Sequence, residues 1–140
     1  AIKGGKVKLD FIIITNNPRV RDAYGMKYFV IYEDCSFDEV LYMTRDKLHK
    51  GHKLLTHPLS GSVKPNETPY KSIMISAERG QLDDESIMIM EDAINVATNK
   101  KFDRYRERQK LLNERILADF QMIDYFLITG AIESAMTGLM

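Results

Sequence analysis

β-Branched apolar runs alternate with stretches whose apolar positions recur every three or four residues, a pattern that predicts strands alternating with helices. Leu9–Thr15 (LDFIIIT) has the composition of a strand buried on both faces. Asn17 then suits a helix N-cap, Pro18 the first helical position and Gly25 the stop, leaving room for a short helix only. Tyr28–Asp34 (YFVIYED) is the second strand. Ser36 and Glu39 have capping-box spacing, Cys35 is placed to staple onto Val40, and Phe37, Leu41, Thr44 and Leu48 share one helical face that Gly51 closes.

Leu54–His57 reads as a short third strand and Tyr70–Ser76 (YKSIMIS) as a fourth. Between them Pro58–Pro69 (PLSGSVKPNETP) is a loop, rich in proline, glycine and small polar residues. Gly80 turns the chain and Asp83 caps a helix carrying Ile87, Met90, Ile94 and Ala97 on one face. A last long helix starts near Arg104 and places Leu112, Ile116, Phe120, Ile123 and Leu127 on its apolar face. Gly130 is its expected end, although Tyr125–Thr129 has enough β-propensity to leave that boundary open. The expected fold is therefore α/β: a small, at least partly parallel sheet of about four strands covered by helices, with two long C-terminal helices. The tetrapeptide Ser-Ile-Met-Ile occurs at Ser72–Ile75 and Ser86–Ile89, once in a strand and once in a helix, and is not a structural repeat.

Composition narrows the class. At 140 residues with 44% hydrophobic and 29% charged residues, the chain suits a single domain spanning 1–140, with 1–8 (AIKGGKVK) as a mobile leader. Twenty basic residues balance twenty acidic ones, so there is no global attraction for nucleic acid or an anionic membrane. No apolar run reaches the ~18–20 residues of a membrane span. The single cysteine, Cys35, excludes an internal disulfide framework and fits the cytoplasm.

Ligands of parallel α/β sheets bind beyond the carboxyl ends of the strands. Three polar clusters are expected at that edge: Thr15-Asn16-Asn17, Glu33-Asp34-Cys35, and His57 with Ser60, Gly61, Ser62 and Lys64. The stretch Gly51–Ser72 is the richest, because hydroxyls, a glycine turn and Lys53, Lys64 and Lys71 against Glu67 are what a small anion needs. The candidate ligand-binding residues are Asn16, Asn17, His57, Ser60, Gly61, Ser62, Lys64 and Lys71, with His57 the candidate acid/base group. Neither a Walker loop nor a dinucleotide fingerprint is present, and no cofactor is expected.

Other constellations weigh less. His49, His52 and His57 lie close in sequence, but their spacing matches no zincin pattern and no metal is expected. Cys35 fits a helix staple better than a nucleophile. Ser60 or Ser62 with Lys64 evokes a hydrolase dyad but lacks a nucleophile elbow. Lys100–Lys110 (KKFDRYRERQK) interleaves its positive charges with Asp103 and Glu107, as a solvated helix junction does.

His49–Ser72 (HKGHKLLTHPLSGSVKPNETPYKS), with ITNNP at Ile14–Pro18 and Arg45-Asp46, resembles the GrdX family, small proteins encoded among the genes of glycine, sarcosine and betaine reductase systems of anaerobic amino-acid fermenters. The distinctive motifs span roughly the first 75 residues, and the helical C-terminal half matches only loosely. The resemblance implies a metabolic setting and no catalytic residue. Three functions stay open: an accessory protein with a small anion-binding pocket, an enzyme acting on a small phosphorylated or carboxylated metabolite, and a docking module for a reductase subunit. Ligand-induced stabilisation separates the first two from the third; oligomeric state is not legible.

Overall fold

The computed structural model describes residues 11–61 and 64–137, together with Ile2–Lys3 (β1) and Lys6–Val7 (β2) of the expected leader, which pair antiparallel. The β-branched run places β3 (Phe11–Thr15) at the centre of the main sheet, buried along its whole length. On one side β3 pairs in parallel with β4 (Phe29–Tyr32) and on the other antiparallel with β5 (Ser72–Ser76). The sheet is thus mixed and three-stranded, in the order β4-β3-β5.

The expected strand at Leu54–His57 does not form. Leu54 makes a single bridge to Ile75, and the segment then runs beside β5 through Leu55 N–H to the Met74 carbonyl (2.9 Å). Met74 N–H donates to the Thr56 hydroxyl (3.0 Å) rather than to a main-chain carbonyl, so a side chain replaces a rung of the ladder. The segment still follows the outer edge of β5.

Side chains alternate across a strand, so β3 feeds two cores. Ile12 and Ile14, with Ile73 and Ile75, pack against α2 (Phe37–Leu48) and α3 (Asp84–Ala97) through Phe37, Leu41, Leu48, Met90 and Ile94. Phe11, Ile13 and Met74 pack on the other face against Val20 of α1 (Pro18–Tyr24) and two isoleucines of the last helix. Three layers result, helices on both faces of a small sheet. Local signals set most helix starts: Asn17 accepts from Arg19 N–H, Ser36 and Glu39 close a capping box, and Asp83 accepts from Ser86 N–H. Gly51, at φ 100°, has its α-hydrogen side against the Gly80 carbonyl, where a Cβ would lie 2.3 Å from that oxygen.

The C-terminal half departs from expectation. The single helix from Arg104 is a 3-10 turn (Lys100–Phe102), α4 (Asp103–Gln109) and α5 (Glu114–Thr137). The break falls where the Asn113 side chain accepts from Ile116 N–H (2.9 Å), a cap that starts a new helix. Gly130 does not end α5, because Ile128 and Ile132 on either side of it are both buried in the core. That packing outweighs a glycine penalty of about 1 kcal/mol. The apolar stripe expected to face the core does not: Ile116, Ile123 and Leu127 are exposed, while Asp124, Ile128 and Ile132 are buried. Among the described residues no helix is long and apolar enough to cross a membrane.

Candidate ligand-binding site

Because β5 runs antiparallel to β3, the carboxyl end of β3 and the start of β5 meet at one sheet edge, where Thr15 pairs with Ser72. Their hydroxyls are 2.7 Å apart, and Asn17 N–H donates to the Thr15 hydroxyl at 2.9 Å. Asp124 reaches this edge from α5. It accepts from Asn17 Nδ2 (2.9 Å), Ser72 Oγ (2.7 Å) and Ser72 N–H (3.0 Å). Burial nonetheless dominates and raises the carboxyl pKa above its ordinary value, against the pull of these donors and of Lys71.

The two asparagines are fully committed to the scaffold. Asn16 donates to the carbonyls of Cys35 (2.8 Å) and Pro69 (2.7 Å) and accepts from Lys71 N–H (2.9 Å), so it stitches β3 to the end of the loop. Asn17 caps α1 and donates to the Gln121 carbonyl and Asp124. The N–H donors of both amides are thus used within the fold, and neither residue lines the cavity described below. The loop's far end is held by Asn66, buried at φ 69°, whose amide donates to Asp38 (2.9 Å) and the Ala97 carbonyl (3.2 Å). Arg106 bridges Asp38 at 3.0 Å and also donates to the Ala97 carbonyl. The basic run Lys100–Lys110 is therefore partly a clamp on this loop rather than a wholly solvated junction.

A cavity of about 130 Å³ lies between the loop and α5. Ser60, Gly61, Lys64, Glu67, Thr68, Tyr70 and Lys71 line one wall, and Phe120, Ile123, Asp124 and Leu127 the other. A second space of about 60 Å³, lined by Thr56, Ser60, Lys71, Ser72, Asp124, Leu127, Ile128 and Ala131, adjoins the same Lys71 and Asp124. Lys71 is 4% exposed and its Nζ donates to the Ser60 carbonyl at 2.8 Å. Burial lowers its pKa from 10.5 to about 8, opposed by the negative charge of Asp124. Gly61, at φ 75°, lets the loop approach α5, since a Cβ there would lie 2.5 Å from a Leu127 methyl. Lys64 is exposed, with its ammonium 5.8 Å from the Tyr105 ring, which Arg104 and Arg108 also approach.

Of the residues expected to bind ligand, Ser60, Gly61, Lys64 and Lys71 line this cavity, and Ser62 lies outside the described residues. His57 is exposed, does not line the cavity, and accepts from Leu59 N–H (3.1 Å) on Nδ1, an ordinary turn contact. His52 is buried, with Nδ1 2.7 Å from the Ser76 carbonyl. Among the described residues no three His, Cys, Asp or Glu side chains are arranged to hold a metal ion. Sequence reasoning passed over Asp124, Tyr70 and Phe120. Asp124 was findable: it is one acidic residue inside the apolar stretch Phe120–Ile128 and lies four residues before Ile128, on the buried face.

Cys35 packs against the α2–α3 core, its sulfur 4.0 Å from the Met43 sulfur. Burial and the charges of Glu39, Glu33 and Asp34 push its thiol up to about 11. It should alkylate with iodoacetamide at pH 7.5 about a hundredfold more slowly than an unhindered thiol. A rate equal to that of free cysteine would contradict the staple role.

A three-stranded mixed sheet with helices on both faces defines a three-layer α/β domain, with a small cavity lined by Lys64 and Lys71 together with Glu67 and Asp124. The chain belongs to the GrdX-like protein family, which it matches over residues 12–133, from β3 through most of α5. The match thus includes the helical half that carries Asp124. No curated protein and no solved structure matches the chain.

Proposed function

We propose that this protein is an accessory protein of the glycine, sarcosine and betaine reductase systems that holds a small anionic metabolite in the cavity beside Lys71. The family name supports the metabolic setting, and the cavity supports the binding role. Lys71 carries the reading. A lysine amine that donates to the Ser60 carbonyl, is held at a cavity wall and is 4% exposed is costly to bury, and an entering anion adds negative charge to that of Asp124. Lys64 adds a second positive charge on the loop side, and the Asp124 oxygens are turned towards Asn17 and Ser72. If the protein is an enzyme, Lys71 and not His57 is placed to act, because only Lys71 lines the cavity.

A thermal-shift series with phosphate, acetyl phosphate, glycine, sarcosine and betaine tests the reading. At a hundred times its Kd, a ligand should stabilise the protein by about 2.7 kcal/mol. The gain should disappear in Lys71→Met. If none of these ligands stabilises the protein, or if the gain survives in Lys71→Met, the cavity is not the site. One observation then favours the docking reading: Ile116, Ile123 and Phe126 of α5 are exposed and available to a reductase subunit.

A further inference from the structure

Resting on the cavity as a ligand site, we infer that Lys71 is a carbonyl-condensing amine that forms an imine with a small carboxylated aldehyde or ketone. Three features of geometry carry this. The Lys71 amine is 4% exposed, lines the cavity, and is tethered through one N–H to the Ser60 carbonyl at 2.8 Å. A carbonyl acceptor engages a proton and leaves the lone pair of the neutral amine free to meet an electrophile. Asp124 lines the same cavity and sets a negative charge near the nitrogen, where a protonated imine would need one. Phe120, Ile123 and Leu127 supply an apolar wall opposite the loop.

Lys64, exposed and on the loop side of the cavity, supplies the charge that would take the substrate's carboxylate. The cavity of about 130 Å³ has room for a small oxo acid. The lowered amine pKa agrees with the geometry, since at pH 7.5 a larger share of Lys71 is neutral than of any solvated lysine.

The step balances without a redox partner. The amine lone pair attacks the carbonyl carbon, the carbonyl π pair moves to oxygen, and one amine proton follows it to give a carbinolamine. The carbon–oxygen bond then breaks as the C=N bond forms, the oxygen takes a proton from solvent and leaves as water, and the second amine proton stays on nitrogen in the protonated imine.

Reductive trapping tests this on the full native chain. The protein is incubated with glyoxylate or pyruvate and sodium cyanoborohydride at pH 7.5, then peptide-mapped by mass spectrometry. Lys71 should be alkylated at least about tenfold faster than any other lysine, as the difference in neutral fraction requires. Urea should erase that preference, and Lys71→Arg should remove the fast adduct. Trapping at Lys71 no faster than at surface lysines overturns the imine, even where the same oxo acid stabilises the protein, and the cavity reading then stands. Absence of both trapping and stabilisation overturns the two together. Because the peptide map is made on the unmodified sequence, the result holds even if Lys71→Arg fails to fold.

Discussion

Asp124→Ala is expected to cost about 4 kcal/mol of stability, within the ~3–5 kcal/mol seen when one partner of a buried charged network is removed. Asp124 is 6% exposed and is the point at which α5 grips the sheet edge. Its loss leaves Ser72 N–H without that acceptor, removes one bond each from Asn17 Nδ2 and Ser72 Oγ, and deprives the buried Lys71 of a charge that offsets its burial. Asp124→Asn restores a single acceptor oxygen and should fall between alanine and wild type. Urea unfolding at unchanged m-value measures both. A loss under about 1 kcal/mol for alanine would mean that α5 is held by Ile128 and Ile132 alone.

Lys71→Met is expected to do the opposite, stabilising the protein at pH 7 by about 1–2 kcal/mol while abolishing ligand-induced stabilisation. A pKa lowered from 10.5 to about 8 means that folding holds a charge it would rather release, at a cost of about 3 kcal/mol. Methionine fills similar space without that cost, offset in part by the lost bond to Ser60 and by an Asp124 left without its cation. The sign with pH is definite. Below pH 8 the lysine is charged folded and unfolded, so the whole cost is present. Between about 8 and 10.5 the folded form has released its proton and the unfolded form has not, so the cost is relieved as pH rises. The wild type should therefore gain on Lys71→Met across that interval. A difference between the two that is independent of pH, or a destabilised Lys71→Met at pH 7, would remove the strain attributed to this lysine.

How far the site was legible depends on whether its chemistry is local. Ser60, Gly61, Lys64 and Lys71 fall in one stretch rich in proline, glycine and lysine, and they line one wall of the cavity together. Asn16 and Asn17 stand at the expected sheet edge, but a side-chain amide has only two N–H donors, and in both residues contacts within the fold use the pair. His57 ends the expected strand Leu54–His57, yet that segment makes a single bridge and the ring accepts from Leu59 N–H in its own turn. Nothing within a few residues of His57 reports this.

The α5 stripe is instructive for the same reason. Ile116, Phe120, Ile123 and Leu127 have the spacing of a core face, and periodicity cannot tell a face against a sheet from a face against a cavity. Phe120, Ile123 and Leu127 line the cavity, whereas the neighbouring face of Asp124, Ile128 and Ile132 meets the sheet.

What the sequence by itself determined is what neighbours within a turn or two can decide. Those features are the β-branched centre of β3, the caps at Asn17, Ser36 and Asp83, the buried face of α2, and the polar loop with its lysines. Each rests on steric preference or on a hydrogen bond between residues a few positions apart. Only the tertiary structure decided the direction of β5, the rotation of α5, and the meeting of Lys71 with Asp124 across 53 positions of chain. Those outcomes depend on which surfaces exclude water from one another, a free energy that belongs to packed elements and has no counterpart in any single segment.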